Sequence, residues 1–541
     1  MSKLSVIRQD DFTGGLNLRA DQFQLGQNES PRMLNVEIDP RGGVFSRGAM
    51  RRINDSPVTG TWKPEVLFPF YGATNSLMLS TGYGAANGDV HYSSGAGFTA
   101  LGVPISSPDG ASFAPWGSTL YMTTGLNTVP YKWNGVNTLG KTAINASGPT
   151  WQSNYASPTV GTPYMPKAKH AITHAGKVFV ANTKEVIDGV DTEFPNRIRW
   201  SHPNNPENWA YLDYIDINDG GTGITGMAVT NGQLVVFKSR SVFVIFGYDS
   251  DTFQVVELSR NLGAATPHCI AATENGVFFF SYPDGLMFYD GKGISDLFAP
   301  IRPAILDGTI NPNAGDQIYV NYINRRIWVS VPYSETTTVN YPTTSFVFDP
   351  SIGRNGAWLQ FSTADENGLS GGCDFIKTDG SRLHVGVHAS QPYVLQVDMY
   401  DDAYDKISGA DYQFTSRYRT RWIDAGSYSQ TKMFRRPDVV VKQYQLDSSI
   451  TITAYSDYEE ADGTQIKQYT IAIPASAAGL LWGYGRWNID TWGAANKGSQ
   501  IVNGRSIGLA KSIQLEFNGP VGRIWGINSY ALKFNARRVK A

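Results

Sequence analysis

The chain has 541 residues, of which 41% are hydrophobic, 12% aromatic and 17% charged. This length is too great for one ordinary core, so we expect two or three domains. The 45 basic and 47 acidic residues nearly balance, which excludes a protein held to nucleic acid by dense phosphate contacts. The low charged fraction is typical of a subunit whose surface is covered in an assembly, although an ordinary β-rich protein would explain it as well.

The sequence carries no signal for export or for membrane insertion. The start, Met1-Ser-Lys-Leu-Ser-Val-Ile-Arg8, turns to charge at once, so we expect no signal peptide and folding in the cytosol. No run of 18 apolar residues predicts a membrane span. The two cysteines, Cys269 and Cys373, fit a reducing compartment and are predicted to be buried small hydrophobic residues.

Residues 1–60 carry few apolar pairs and many Gly, Pro and Arg residues. Such a segment does not bury itself alone, so we expect an extended arm or a partial blade that lies on another domain or subunit.

Residues 61–405 predict a repeated antiparallel unit. Short runs of β-branched and aromatic residues recur between Gly, Asn, Asp and Pro clusters, which indicates an all-β chain. Hairpin markers recur at spacings of 45, 59, 56, 44, 48 and 56 residues: Gly72, Gly117, Gly176, Gly232, Gly276, Asn324 and Gly380. A four-stranded blade needs about 40 to 50 residues, so we predict a six- or seven-bladed β-propeller, with an array of β-sandwiches as the alternative.

Two units show the pattern most clearly. Residues 226–246 read as strand, turn, strand, turn, strand, with Asn231-Gly232 in the first turn. Residues 269–291 repeat this order, and the run Val277-Phe-Phe-Phe280 is continuously apolar. An inner propeller strand is covered on both faces, which favours such runs over strict alternation.

Residues 406–541 change to longer, alternating strands and are predicted to form a separate β-sandwich. In Ser449-Ile-Thr-Ile-Thr-Ala-Tyr455, the residues Ile450, Ile452 and Ala454 share one face. Ile513-Gln-Leu-Glu-Phe517 and Tyr530-Ala-Leu-Lys-Phe534 also alternate, as strands with one wet face do.

Two histidine pairs are the first candidates for a metal site. His170 and His174 flank a predicted strand, and His384 and His388 would share one face of another. A zinc site needs further ligands, and no Cys-x-x-Cys or His-Glu-x-x-His pattern supplies them. We therefore assign no metal ligand.

Acidic loops offer a second kind of candidate. Asp216-Ile-Asn-Asp-Gly-Gly221 and Asp249-Ser-Asp251 carry oxygen ligands for calcium, but known calcium-loop spacings are missing, so we interpret them as solvated turns. The sequence holds no Gly-x-Ser-x-Gly elbow or phosphate-binding loop, so we assign no catalytic or cofactor-binding residue. Paired carboxylates for glycoside cleavage stay open, because the sequence does not tell which acids meet.

Tryptophans could form stacking platforms for a host glycan if exposed, although core or interface packing is the commoner use. The candidates are Trp200, Trp209, Trp482, Trp487 and Trp492. We interpret Trp482-Gly-Tyr-Gly-Arg-Trp487 as an ordered loop at an interface, with an exposed tip as the alternative.

The opening of the chain carries a recognisable order of short motifs. They are Asp11-Phe-Thr-Gly-Gly-Leu-Asn17, Asp21-Gln-Phe-Gln-Leu25, Asn28-Glu-Ser-Pro31, Leu34-Asn-Val-Glu-Ile-Asp-Pro-Arg-Gly-Gly43 and Arg47-Gly48. This order resembles the N-terminus of nozzle or tail-hub (tail tubular) proteins of short-tailed bacteriophages.

A second stretch is similar to a propeller step of the same proteins. Arg199-Trp-Ser-His-Pro-Asn-Asn-Pro-Glu-Asn-Trp209 matches its S-x-P-x-x-P-x-x-W pattern. Gly223-Ile-Thr-Gly226 follows, and after Leu262-Gly263 comes the blade start Pro267-His-Cys-Ile-Ala271.

The resemblance implies a structural, non-enzymatic virion protein, assembled in the host cytoplasm. About six copies would form a ring below the portal and adaptor, as the distal tail tube, with fibres, spikes or a needle attached. Double-stranded DNA would pass without specific binding, which balanced charge favours. We expect the basic end, Arg537-Arg-Val-Lys540, to contact protein. The alternatives are a propeller that binds or depolymerises a host glycan, and a secreted bacterial propeller, against which the charged start weighs.

Overall fold

The computed structural model describes residues 4–21, 24–58, 65–81, 88–136, 141–144, 165–334, 338–400, 404–442, 447–457, 464–474, 499–520 and 522–536. Within these ranges the chain is built of β-strands, and helix is limited to α1 (Pro303–Leu306) and the 3-10 turns Pro267–Cys269 and Gly315–Gln317. The prediction of an all-β chain is confirmed. No helix in the described ranges has the length and hydropathy needed to cross a membrane.

The N-terminal part contributes short strands: β1 (Ser5–Gln9), β2 (Gly15–Leu16), β3 (Glu29–Ser30), β4 (Arg32–Leu34), β5 (Val36–Ile38), β6 (Val44–Ser46) and β7 (Ala49–Arg52). Only β2 with β3 and β5 with β6 pair inside this segment. The other strands pair with distant parts of the chain.

The middle of the chain forms antiparallel sheets whose strands follow one another in sequence order. Sheet 1 holds β8 (Val66–Tyr71), β9 (Ser76–Thr81), β10 (Gly88–Ser93) and β11 (Thr99–Ile105). Sheet 2 holds β12 (Ser112–Trp116), β13 (Thr119–Thr123), β14 (Tyr131–Trp133) and β15 (Lys141–Ala143). Sheet 3 holds β16 (Lys167–His174), β17 (Lys177–Ile187), β18 (Val190–Trp200) and β19 (Tyr214–Asp216).

Three further sheets repeat this order. Sheet 4 holds β20 (Ile224–Thr230), β21 (Gln233–Lys238), β22 (Val242–Phe246) and β23 (Gln254–Ser259). Sheet 5 holds β24 (Ile270–Thr273), β25 (Gly276–Ser281), β26 (Gly285–Tyr289) and β27 (Ile294–Asp296). Sheet 6 holds β28 (Tyr319–Ile323), β29 (Arg326–Val331), β30 (Thr344–Asp349) and β31 (Ala357–Phe361).

Sheet 7 is completed by the N-terminus. It begins with β32 (Leu369–Ile376), β33 (Arg382–His388) and β34 (Val394–Met399), and β7 then pairs antiparallel with β34. Beyond β7 lie β35 (Tyr404–Lys406) and β36 (Asp411–Gln413), so this sheet extends past residue 405, where we expected the repeated part to end.

The predicted hairpin turns are found at the marker residues. Each of the residues Gly72, Gly117, Gly176, Gly232, Gly276, Asn324 and Gly380 lies at the turn between the first and second strands of one of sheets 1 to 7. Asn324 takes a φ of 51°, in the left-handed region that asparagine tolerates better than most residues. The inner run Val277–Phe280 is buried on both faces, which explains its lack of alternation.

The C-terminal part forms two more sheets. Its strands are β37 (Arg417–Arg419), β38 (Lys432–Phe434), β39 (Asp438–Lys442), β40 (Ser448–Ser456), β41 (Thr464–Ile473), β42 (Ser499–Asn503), β43 (Gly508–Ala510), β44 (Ile513–Asn518) and β45 (Gly526–Ala536). A five-stranded sheet has the order β4-β37-β44-β40-β41. An eight-stranded sheet joins β38, β39, β42, β43 and β45 to β1, β5 and β6.

The shared buried face of Ile450, Ile452 and Ala454 is confirmed, because all three side chains are 0% exposed. The wet face predicted for β44 is wrong. Gln514 and Glu516 are buried as well, since Glu516 accepts a hydrogen bond from Arg419 Nε at 2.6 Å and Gln514 donates to the Thr420 carbonyl. Polar partners, rather than water, cover that face.

The described strands of residues 1–60 lie on other parts of the same chain. β1 and β6 pair with β45 of the eight-stranded sheet, and β4 pairs with β37 of the five-stranded sheet. β7 belongs to sheet 7. The segment is therefore divided between the repeated sheets and the C-terminal sheets of the same chain.

Candidate functional site: a shared cavity and a buried joint

The first strands of sheets 1 to 7 line one common cavity of about 600 Å³. Every one of β8, β12, β16, β20, β24, β28 and β32 contributes wall residues. Phe68 of sheet 1 stacks on Phe113 of sheet 2 with ring centroids 5.0 Å apart. Seven sheets thus converge through the same strand position, although those strands are far apart in the sequence.

The cavity has a polar side, formed where the first strands begin. Burial raises the pKa of Tyr319, and so do the charge of Glu65 and its hydrogen bond to the phenol. Burial lowers the pKa of His170 to about 4, and its Nε2–H donates to the Ile224 carbonyl at 3.2 Å. The imidazole is therefore uncharged at neutral pH and serves to tie sheet 3 to sheet 4.

The second feature is a buried joint between the repeated sheets and the C-terminal sheets, centred on Arg47. Its side chain is 1% exposed and makes a two-point ion pair with Asp405, at 3.0 Å from Nη1 and 2.6 Å from Nη2. The remaining N–H groups donate to the carbonyls of Gly48 and Ser362 and to Asn35 Oδ1. All five guanidinium donors are satisfied, as a buried arginine requires.

Asp405 and Asn35 extend this joint to the backbone. Asp405 also accepts from the backbone N–H groups of Met50 and Ala364, both at 2.8 Å. Asn35 donates through Nδ2 to the Thr415 carbonyl and accepts from the Ser362 N–H. The joint therefore fixes β7, the loop after sheet 6 and the start of the C-terminal part relative to one another.

The Gly-Gly-Leu-Asn motif and the preceding Phe12 also pack against distant parts of the chain. A Cβ on Gly15, whose φ is +69°, would lie 2.7 Å from the carbonyl oxygen of Trp358. Phe12 is 0% exposed and packs edge-on against Tyr418 of the C-terminal part, with centroids 5.2 Å apart. The motif brings its backbone against sheet 6 and its aromatic ring against the five-stranded sheet, which gives it a structural role.

A buried acidic cluster surrounds Arg326 where β5 meets sheets 6 and 7. Arg326 contacts Glu37 at 3.0 Å and Asp349 at 2.8 Å, with Asp398 at 3.9 Å. Burial opposes the charge of Arg326, but the surrounding carboxylates raise its pKa. Burial and the negative charge of Glu37 raise the pKa of Asp398, and Tyr400 donates to Glu37 at 2.7 Å.

The motif Arg199–Trp209 also packs neighbouring sheets together. Arg199 is 0% exposed and pairs with Glu185 through Nε at 2.8 Å and Nη2 at 2.9 Å. Glu207 accepts from Tyr121 and from Lys132 of sheet 2. Trp200 meets Phe253, in the loop of sheet 4 just before β23, edge-on at 5.0 Å. The motif therefore links sheet 3 to both of its neighbours.

Trp200 and Trp209 are buried, so neither is an exposed platform for a glycan. Trp200 is 3% exposed and Trp209 1% exposed, since each packs into a hydrophobic cluster and donates its indole N–H. Trp482, Trp487 and Trp492 lie outside the described residues, as does the basic end 537–541.

The histidine pairs do not form shared sites. His384 bonds Asp374 at 2.8 Å and His388 bonds Asp365 at 3.0 Å, so the two rings have different partners. Nδ1 of His388 accepts hydrogen bonds from the backbone N–H groups of Ser390 and Gln391. Both ring nitrogens are therefore occupied, and neither is available to activate a nucleophile. His170 and His174 are both buried, and His174 packs against Phe179.

In the acidic loop 216–221, two carboxylates are bound by the protein's own donors, whereas residues 249–251 are exposed. Burial raises the pKa of Asp219, but hydrogen bonds from Lys238 and Ser241 outweigh it and lower the pKa to about 2. Asp216 pairs with Arg197 at 2.8 Å. Over the described ranges, no three His, Cys, Asp or Glu side chains are arranged to hold a metal ion. Cys269 and Cys373 are buried, as predicted.

No family model and no curated protein matches this sequence. Among solved structures, the N-terminal domain of Nup159 aligns at 8% identity and a TM-score of 0.36, over 67% of this chain and 98% of its own. A puromycin-hydrolyzing peptidase of Mycobacterium tuberculosis aligns at 10% identity and a TM-score of 0.35, over 69% of this chain and 62% of its own.

The AfRom2 CNH domain aligns at 10% identity and a TM-score of 0.25, over 43% of this chain and 62% of its own. We draw neither fold nor function from these three likenesses.

Proposed function

We propose that sheets 1 to 7 are the blades of a seven-bladed β-propeller, closed by the N-terminal strand β7, and that the two C-terminal sheets form a β-sandwich. The shared cavity supports the first part, because seven first strands around one space is the arrangement that radial blades produce. The contact of Phe517 with Tyr530, 5.5 Å apart between the two C-terminal sheets, supports the second.

We further propose that the protein is a structural subunit of a phage virion, in the distal tail nozzle or hub through which DNA leaves. One observation carries this: the motifs that resemble tail nozzle proteins supply the side chains of the buried joint and of the inter-sheet packing. Arg47, Asn35 and Gly15 hold parts of the chain in place. A protein whose distinctive residues fix geometry fits a scaffold role better than an enzymatic one.

In this proposal the subunit forms a ring of about six copies. The ring contacts an adaptor above and fibres, spikes or a needle outside, and the virion assembles in the host cytoplasm. The charge is nearly balanced, with 45 basic and 47 acidic residues. This suits a channel through which DNA slides, since each contact with a phosphate would slow the DNA.

Electron microscopy of the purified full-length protein and of virions tests the proposal. We expect closed rings with an open centre, and density for the subunit at the distal end of the tail. Monomers at every protein concentration, together with particles whose tails lack the chain, would contradict it.

Deletion of Arg537 to Ala541 tests the proposed role of the basic end. We expect fewer assembled tails, because this end is proposed to contact protein. The matched control replaces Arg537, Arg538 and Lys540 by alanine at full length, which separates charge from length. Normal assembly with failed ejection would point to a DNA contact and contradict us.

A glycan-binding or depolymerising propeller is the alternative from another class. Burial of Trp200 and Trp209 removes two of its candidate platforms. Incubating the purified protein with host surface polysaccharide, and measuring retention and product length, distinguishes the two functions. Shortened product that disappears on replacing a single acidic side chain would favour the depolymerase.

A further inference from the structure

The N-terminal segment has its strand partners at the other end of the chain. Ser5 of β1 pairs with Phe534 of β45, and Arg32 of β4 pairs with Arg419 of β37. β6 also pairs with β45, while β7 pairs with β34 and, through one residue pair, with β35. Every described ladder partner outside the segment therefore follows residue 393.

Two of these pairings are linked by a very short connection. β6 ends at Ser46 and β7 begins at Ala49, so only Arg47 and Gly48 separate a strand of the eight-stranded sheet from a strand of sheet 7. A Cβ on Gly48 would lie 2.8 Å from the backbone of Asp398, so the chain passes tightly against the end of β34. Two residues leave little freedom for one strand to dock without the other.

Side chains reinforce the same connection on both sides. Ser46 donates its N–H to the Trp525 carbonyl and accepts from the Trp525 N–H, beside β45. Asn54 accepts from the Val394 N–H at the start of β34. Arg47, between them, is buried and needs Asp405 to satisfy its charge.

We propose that residues 4–54 act as a latch that docks last and closes sheet 7 and both C-terminal sheets in a single cooperative step. Before that step, β34 and β45 each present an unpaired edge. An open β-edge invites pairing with another chain. The latch thus couples closure of the repeated sheets to completion of the C-terminal part. This coupling does not depend on the proposed role in a virion.

Pulsed hydrogen exchange during refolding of the full-length chain, read by mass spectrometry, tests the latch. We expect peptides covering β6 and β7 to gain protection with rate constants within about twofold of each other, and in step with β45. The β21 peptide in sheet 4 should be protected earlier. Protection of β7 before β45, or clearly different rates for β6 and β7, would overturn the proposal.

Native-state exchange at rising denaturant concentration gives a second readout that needs no refolding. Peptides covering β6 and β7 should open together, and Asp405→Asn should speed both by about 100-fold while leaving β21 unchanged. Asp251→Asn, in an exposed loop, is the matched control and should change neither. If Asp405→Asn opened β7 alone, the two strands would not form one latch.

Discussion

Arg47 and Asp405 are 358 residues apart in sequence and form a two-point ion pair whose side chains are 1% and 0% exposed. The pair lies where the N-terminal segment, the seventh sheet and the C-terminal part meet. By contrast, Arg8 and Asp10 pair at the surface with side chains 69% and 60% exposed. Burial, rather than the count of ion pairs, decides which of these matters for stability.

Replacement of Arg47 should therefore be costly. Arg47→Ala leaves the Asp405 carboxylate buried without its cation, and we expect a loss of roughly 3–5 kcal/mol in the free energy of unfolding. Denaturant titration followed by fluorescence measures the loss. Arg8→Ala is the control and should change stability by no more than about 0.5 kcal/mol. Equal effects of the two variants would contradict the assignment of the joint.

Gly15 should not tolerate a side chain, because a Cβ would meet the Trp358 carbonyl. Gly15→Ala combines a left-handed backbone with a steric clash, so we expect a loss of about 2–4 kcal/mol. Gly189→Ala is the matched control, since Gly189 has a φ of +80° with no atom within 4 Å of the added Cβ. Its cost should be about 1 kcal/mol. Similar thermal midpoints for the two variants would show that Trp358 does not crowd Gly15.

Glu185 should contribute far more to the stability of the fold than the exposed acidic residues near it. It is 0% exposed and faces both Arg197 and Arg199, so Glu185→Gln removes the buried negative charge that pairs with both guanidinium groups. We expect a loss of about 3 kcal/mol in unfolding free energy. The control is Glu193→Gln, because Glu193 is 57% exposed in its pair with Lys184. A loss at Glu193 as large as that at Glu185 would contradict the importance of burial here.

Asp365 should give the protein an acid-sensitive stability. Burial raises the pKa of Asp365, but hydrogen bonds from His388 and Thr363 outweigh it and lower the pKa to about 2. An unfolded aspartate titrates near pH 4, so this contribution is complete above about pH 5 and is lost as the pH falls from 4 towards 2.

Thermal unfolding from pH 2 to 7 measures the contribution of Asp365. We expect Asp365→Asn to be less stable than the parent chain at neutral pH and to converge with it near pH 2. Asp251→Asn, in an exposed loop, should follow the parent throughout. A constant difference between Asp365→Asn and the parent at every pH would refute the titration.

Local signals in the sequence were sufficient for the repeated sheets. A turn residue such as Asn324 or Gly380 is required by backbone geometry within a few positions, and the flanking apolar runs follow from burial on both faces. The same reasoning found the shared face of Ile450 and Ile452. It failed for Gln514 and Glu516, because their partners come from a strand about a hundred positions away.

The buried joint around Arg47 could not be predicted from local sequence patterns. Most described strands of residues 1–60 pair with strands that come much later in the chain, and a local sequence pattern does not identify such partners. The opening motif could be recognised as a pattern, but nothing in it named Asp405 as the partner of Arg47. The sequence favoured packing over exposed platforms for Trp200 and Trp209, but it did not identify the residues that bury them.

The amino-acid sequence by itself determined the all-β character, the positions of the hairpin turns and the burial of the two cysteines, since these depend on side-chain type and short-range periodicity. The tertiary structure decided which strands close which sheets, which charges are buried and where the N-terminal segment lies. Those outcomes depend on contacts between residues that are separated by more than a local sequence pattern spans, in some cases by hundreds of positions. The free energy of such a contact is set by both partners and by their joint removal from water.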